Sequence, residues 1–408
     1  MYKAYKYRLI PTAEQANTLS QWEGATRWLW NQFLAKTTEQ YAIDKKFIWG
    51  FDLKKQIPNL KQQYEWLKQV PAHALQNVSF DIDKSLKRST GKNQDQGFPK
   101  FKCKGRNTGS IKIDQVSNHI SITESHIKIP KIGLVKWHYH RPITGILKQI
   151  SIVKDIDQWY VSVVCEVDDM QLTPIDPTNC NAIGIDLGIS SFLIDNNGNK
   201  VDSPHFLKKK ANRLKRYQRQ VSRKCKGSQN RNRARIKLAK WHRDIRNARA
   251  DWLHKLSNQI VNEHDLICVE DLKTKSLMKH RKQKSLNRAI SDQGWGMFLG
   301  MLKYKSQQRG KTLTQINQYA PSSKACSCCG HVMDRMALDI REWECPSCGT
   351  HHDRDINAAN NILFWGIMAT KNTLGTGGIN ACGDTSADVS NQCRVSAKQE
   401  AVGPLGPQ

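Results

Sequence analysis

From Tyr2 to Ile10, "YKAYKYRLI", apolar and polar positions alternate with a period of two, the spacing of a strand with one buried face. The pattern then turns helical. "TAEQANTLSQWEGATRWLWNQFLAKTTEQY" sets Leu19, Trp22, Trp28, Leu29 and Phe33 on one stripe, and a second helical stretch runs through "LQNVSFDIDKSLK". From about 99 to 167 short strands are predicted in "ISITESHIKIP", "GLVKWHYH" and "ILKQISIVKDIDQWYVSVVCEV", the last turned at Asp155 to Asp157. A small antiparallel β-barrel over residues 1–180, with a helical insertion at roughly 12–95, is the expected first domain.

After the linker "TPIDPTNCN" a second domain is expected over 181–370. "NAIGIDLGISSFLI" reads as a buried strand interrupted by Asp186, and Asn197-Gly198 in "FLIDNNGNKV" marks a hairpin. Residues 205–262 predict two long helices separated by "KGSQNRN"; "HDLICVEDL" predicts a short buried strand ending in Glu270 and Asp271. "SDQGWGMFLGMLKYKSQQRG" predicts one helix. Residues 371–408 are Gly/Ser-rich, polar and aperiodic, the composition of a disordered tail.

Charge narrows the class of partner. The 408 residues carry 64 Lys and Arg against 36 Asp and Glu, a formal charge of +28, which favours a polyanion and above all nucleic acid. A membrane surface competes for that role, but no apolar run approaches the ~20 residues of a membrane span. The opening also lacks the apolar core of a secretory leader, so a cytosolic protein is expected. Residues 208–249 hold Asp244 as their single acid, a bias too one-sided for an ordinary solvated helix face. Arg213, Arg216, Arg219, Arg235 and Arg243 are expected to face outward as phosphate contacts while Leu214, Ile236, Leu238 and Trp241 pack.

Of twelve cysteines, Cys326, Cys329, Cys345 and Cys348 form C-x2-C-x15-C-x2-C. Each C-x2-C knuckle aims two thiolates at one point, and two knuckles complete a closed tetrahedral zinc site with a structural role. Cys328 lies outside the spacing. Three isolated acids invite a different chemistry. Asp186 interrupts one apolar strand, Glu270 ends another, and Asp353 or Asp355 in "HHDRDINAANNILFWGI" opens a helix whose Ala358 and Ala359 allow close packing. Three carboxylates converging on one point would repel and keep their protons unless cations lay among them, so the set implies Mg²⁺ or Mn²⁺ and phosphodiester hydrolysis.

"GIDLGI", "VEDL", "SDQGWGMF", "APSSKACSCCG", "CPSCG" and "HDRDINAANNI", in this order, resemble TnpB, the family of transposon-encoded RNA-guided DNA nucleases related to type V CRISPR effectors. The likeness extends to "YKYRLIPTAEQ" and "GFPKFK". It implies a multidomain α+β protein: a wedge barrel with a helical recognition insertion, then an RNase H-like RuvC domain with a zinc ribbon inserted at about 320–352. It also implies Asp186, Glu270 and Asp355 as the catalytic acids, with Asp353 and Asp271 as neighbours. Further implications are a guide RNA from the element, double-stranded target DNA beside a short motif, and a monomer within the RNA complex in a prokaryotic cytosol or nucleoid. In the recognition helix, Gln76 and Asn77 are candidate readers of adenine edges. The competing functions are an RNA-independent nuclease or transposase accessory protein, and a non-catalytic zinc-ribbon DNA-binding regulator.

Overall fold

The computed structural model describes residues 1–91, 97–105, 109–114, 119–168, 175–177, 179–279, 284–337 and 339–375. Two compact units share the chain, Met1–Asp169 and Met170–Gln408, so the division falls just ahead of the Pro/Asn linker. Among the described residues no helix is long and apolar enough to cross a membrane.

The first unit is built on β1 (Tyr2–Ile10), whose inward side chains Tyr5, Tyr7 and Leu9 are buried in strict alternation. Four helices follow: α1 (Ala13–Asp44), α2 (Gly50–Lys55), α3 (Ile57–Gln63) and, after a 3-10 turn at Glu65–Gln69, α4 (Ala72–Thr90). Thr12 starts α1 with a capping box: its hydroxyl accepts from the Gln15 amide (3.3 Å), and its own amide donates to the Gln15 side chain (3.1 Å). Helices α2 and α3, of six and seven residues, are too short to register as a periodicity. The remaining strands are β2 (Ser110–Ile113), β3 (His126–Ile129), β4 (Gly133–His138), β5 (Ile146–Asp155) and β6 (Gln158–Glu166).

All pairings in this sheet are antiparallel, in the order β2-β5-β6-β1-β4-β3. The expected barrel is therefore open, with β2 and β3 as its edges among the described residues. Helix α4 lies against β2, where the Asn77 amide donates to the Lys112 carbonyl (3.2 Å) and Lys112 pairs with Asp81 (2.6 Å). The sheet interior joins Leu19, Trp22, Leu29 and Phe33 of α1 and Leu75 and Ile82 of α4 in one core.

In the second unit, β7 (Ala182–Asp186), β8 (Ser191–Asp195) and β9 (Lys200–Asp202) form an antiparallel meander. Two long helices, α5 (Phe206–Ser222) and α6 (Gln229–Glu263), lead to β10 (Leu266–Glu270). Helices α7 (Thr274–Lys279), α8 (Lys284–Gln293) and α9 (Trp295–Gln308) precede β11 (Thr312–Ile316). The hairpin β12 (Glu342–Glu344) and β13 (His351–Asp353) then leads into α10 (Arg354–Gly375). Strand β10 runs parallel to both β7 and β11, giving the sheet order β11-β10-β7-β8-β9.

Three expectations change. The stretch 181–194 is two strands joined by a turn at 187–190, so Asp186 is the last residue of β7 and lies at a strand end. The single helix expected over 291–310 breaks at Gly294, whose φ of +74° is left-handed. The buried Asp292 just before it accepts from the Leu207 amide (3.0 Å) and pairs with Arg249 (2.6 Å), tying α8 to the start of α5 and to α6. Helix α10 reaches Gly375, five residues into the stretch assigned to the tail; residues 376–408 lie outside the described residues.

Candidate active site and metal centre

The period of two explains why an acid can follow a buried strand here. Ile183 and Ile185 of β7 and Ile267 and Val269 of β10 point into a core shared with α6 and α9. The alternate residues, Ala182 and Gly184 with Leu266 and Cys268, therefore share the opposite face, and that face is covered by Ile362, Leu363 and Ile367 of α10. Asp186 and Glu270 continue these two rows. Ile185 is paired with Val269, so the acids sit side by side at the C-terminal ends of adjacent parallel strands, where open α/β sheets present their ligand sites.

Helix α10 reaches this edge because two glycines let it approach. A Cβ on Gly184 would stand 2.2 Å from the Ala359 carbonyl oxygen, and one on Gly366 would stand 2.3 Å from the Cys268 Sγ. Ala358 and Ala359 are buried on the helix side. The N-terminus of α10 thereby brings Asp355 beside Asp186. Burial and then the negative field of Asp355 push the Asp186 carboxyl up to about 6. Burial, then Asp186 and Asp271, push Glu270 up to about 7. Neither Asp186 nor Glu270 forms an ion pair among the described residues. Acids held in this way are short of positive charge, and the all-oxygen donor set suits Mg²⁺ or Mn²⁺.

The neighbouring acids differ in surroundings. The Asp353 carboxylate caps α10, accepting from the amides of Asp355 (2.9 Å) and Ile356 (3.2 Å), and pairs with Lys200 (2.8 Å). Burial raises its pKa, but Lys200 and the two amides outweigh burial and hold it below the ordinary carboxylate range. Asp271 continues the β10–β11 ladder, its amide donating to the Ile316 carbonyl (3.0 Å). Arg341, which the sequence pattern did not single out, reaches both oxygens of Asp355 at 3.4 Å.

The four cysteines come together with every Sγ within 4.8 Å of the others; Cys326 to Cys348 is 3.7 Å and Cys329 to Cys345 is 3.6 Å. A tetrahedron of thiolates about 2.3 Å from zinc has edges of about 3.8 Å, so the cage fits the ion. The knuckles are built alike. The amides of Gly330 and Gly349 donate to the carbonyls of Cys326 and Cys345, and both glycines take the left-handed φ (+76° and +70°) that this turn requires. Cys328 is exposed outside the cage, and the buried His352 ring places its Nε2 3.0 Å from the Cys326 Sγ.

Two asparagines one turn apart join the cage to the acid-bearing helix. Asn357 accepts from the Ser327 amide (2.9 Å) and donates to the Ala325 carbonyl (2.7 Å), while Asn361 donates to the carbonyls of Ser322 (2.8 Å) and Ala325 (2.7 Å). Both are almost fully buried. Their i,i+4 spacing beside Ala358 and Ala359 was the one available sequence signal, and it reads equally well as an exposed polar stripe.

The expected nucleic-acid contacts divide. Arg213, Arg216 and Arg219 on α5 and Arg235 on α6 are exposed, and Arg213 and Lys210 lie over the Trp241 ring at 4.7 and 5.1 Å. Arg243 is a correction: it is buried on the inward side of α6 between Ala234 and Ile245, and it pairs with Asp244 at 3.8 Å. Ile236, expected to pack, is exposed. Asn77 is likewise corrected, since its amide nitrogen donates to the His73 carbonyl (3.0 Å) as well as to Lys112 and so braces α4. Gln76 lines a cavity of about 540 Å³ with Phe51, Lys54, Ile57, Pro58 and Lys61.

Comparison with known proteins places the chain in a family. Residues 162–281 match the OrfB model of IS605-type elements, described as "Probable transposase"; residues 295–362 match a Cas12f1-like TNB domain, and residues 1–46, here β1 and α1, match a model described as a helix-turn-helix domain. A Streptomyces pristinaespiralis protein named "Putative RNA-guided DNA endonuclease" is 33% identical, over 98% of this chain and 96% of its own length. The corresponding Escherichia coli K12 protein, InsQ, is 30% identical over 89% of this chain and 92% of its own. The fold resembles Cas12f1 in a solved complex with sgRNA and target DNA, with a TM-score of 0.57 at 15% identity, covering 89% of this chain and 98% of that one. The chain belongs to the TnpB-type family, whose relatives carry the name RNA-guided DNA endonuclease.

Proposed function

We propose that this protein is an RNA-guided endonuclease of double-stranded DNA, acting through one divalent-metal site made by Asp186, Glu270 and Asp355. The observation that carries the reading is the placement of Asp186 and Glu270 side by side at adjacent strand ends, with Asp355 of α10 acting on Asp186, the first two held well above the ordinary carboxylate range by burial and by neighbouring acids. An antiparallel meander followed by two parallel strands, in the order β9-β8-β7-β10-β11, is the topology expected of an RNase H-like RuvC domain. The open sheet of the first unit takes the part of the wedge, α1 to α4 that of the recognition insertion, and the four-cysteine module that of a structural zinc ribbon.

Bound Mg²⁺ or Mn²⁺ would supply a water nucleophile at neutral pH and stabilisation of the leaving oxygen. Asp186 and Glu270 would hold that charge at the ends of β7 and β10, with Asp355 offered beside Asp186 from the helix. Arg341, exposed beside Asp355, would offset charge on the phosphoryl oxygens of a phosphate held at these acids. Asp353 keeps its capping role. The exposed arginines of α5 and α6 bind phosphates of the guide and heteroduplex, base pairing selects the target, and Gln76 reads the short flanking motif.

The deciding experiment uses the protein purified with its bound RNA on a plasmid carrying the matching target. Cutting that needs Mg²⁺, stops after RNase digestion and moves when the guide segment is replaced is the expected result. An unmoved cut site would return the protein to the RNA-independent nucleases, and no metal-dependent nicking at all would leave a binding protein.

A further inference from the structure

An aromatic cluster on the first unit has no part in that mechanism. Tyr41 near the end of α1, Phe47 and Trp49 in the following loop, and Phe98 come from three segments yet meet. Tyr41 stacks on Phe47 (4.3 Å, 9°), with Trp49 and Phe98 at 5.9 and 6.2 Å from it. Rings that converge usually do so to leave water, but Tyr41, Trp49 and Phe98 keep 40%, 39% and 44% of their surface exposed. Lys45 lies over the Tyr41 ring (5.6 Å) and Lys87, paired with Asp83, over the Trp49 ring (5.5 Å). The segment bearing Phe98 is fixed in place: Asn31 exchanges two hydrogen bonds with the Lys102 backbone (2.8 and 3.0 Å), and the Trp30 indole donates to the Lys100 carbonyl (3.2 Å).

We infer that this cluster is a stacking platform for unpaired nucleobases of a single-stranded nucleic acid, a site distinct from the phosphate-binding arginines and from the cavity at Gln76. The inference rests on the nucleic-acid reading above. Three partly exposed rings gathered round Phe47, one stacked on it, one edge-on and one tilted, offer an unpaired base apolar surface that a duplex cannot use, because paired bases hide their faces in their own stack, and the lysine ammonium groups over Tyr41 and Trp49 suit the phosphates between bases. Single-stranded RNA from a guide and a displaced DNA strand present the same chemistry.

The test measures binding of full-length protein to single-stranded RNA, single-stranded DNA and duplex, each carrying 2-aminopurine. Wild-type protein is expected to quench the unpaired fluorophore. Tyr41→Ala with Phe98→Ala, both at exposed positions, should weaken single-strand binding by roughly 5- to 100-fold, with duplex binding within about twofold and the salt slope unchanged. Phe98→Tyr should restore affinity. The arm with the larger loss names the source. Unchanged single-strand affinity in the double variant, or equal losses for duplex, overturns the platform while leaving the endonuclease reading intact. Wild-type protein that binds no nucleic acid overturns both.

Discussion

At the residue scale, the acids differ by what surrounds them and not by type. Asp186→Ala, Glu270→Ala and Asp355→Ala should each reduce cleavage by on the order of a hundredfold or more with RNA binding near normal, as measured by single-turnover cutting beside filter binding. Asp353→Ala should keep cutting and lose about 1 kcal/mol of stability, the value of a helix cap. Robust cutting by Asp355→Ala with failure of Asp353→Ala would reverse the assignment. The raised carboxyls also set a pH dependence. Between the ordinary carboxylate range and about 6 to 7, the folded chain keeps protons that the unfolded chain has released, so metal-free stability falls as pH rises through that window. Glu270→Gln should therefore stabilise the metal-free protein above pH ~7.5, by on the order of 1–3 kcal/mol in thermal unfolding. Metal affinity should strengthen over the same rise, because cation and proton compete for the same oxygens.

At the element scale, the site depends on how closely α10 rides on β7 and β10. Gly184→Ala forces a Cβ into the Ala359 carbonyl, so the helix must shift. The expected loss is about 1–3 kcal/mol together with most of the cutting, and zinc content should stay at one per chain. The cysteine module grips the same helix from its other side. Cys326→Ser and Cys348→Ser should lose the zinc and cleave poorly, whereas Cys328→Ser should keep both, as read by metal analysis of each purified variant. Asn357→Ala separates the two effects: with the cage intact, zinc should remain while cutting falls, because the bonds from Ser327 and Ala325 to Asn357 are gone and only Asn361 still ties α10 to the module. A variant that kept full activity would make these bonds merely local packing.

At the scale of the whole molecule, the charge of +28 sets the energetics of binding. Neutralising Arg213, Arg216, Arg219 and Arg235 together should weaken binding alike for every guide and reduce the salt slope by roughly 0.7 to 0.9 for each phosphate left without its arginine. Arg243→Ala belongs outside this group, since its guanidinium lies inside α6's packed face and its loss should appear in stability first. Guide-dependent differences among the four-arginine variants would show that these side chains read bases.

What the sequence determined by itself was local. Period-two alternation marked β1, β5 and β6, paired knuckles marked the cage, and a carboxylate interrupting or ending an apolar run marked Asp186 and Glu270, because each of these signals is written within a few residues. Tertiary structure decided whatever depends on approach between distant segments. It opened the expected barrel, ended β7 at Asp186 so that the acid escapes the core, and turned Arg243 inward and Asn77 toward β2. It also brought Arg341 and Asp355 together and gave Asn357 and Asn361 their partners in the cysteine module. No window of sequence carries these facts, since a side chain's neighbours across a sheet or along a packed helix are set by register and close approach. Here that approach was permitted by two glycines, Gly184 and Gly366, whose missing side chains leave no trace in any pattern of hydrophobic and polar positions.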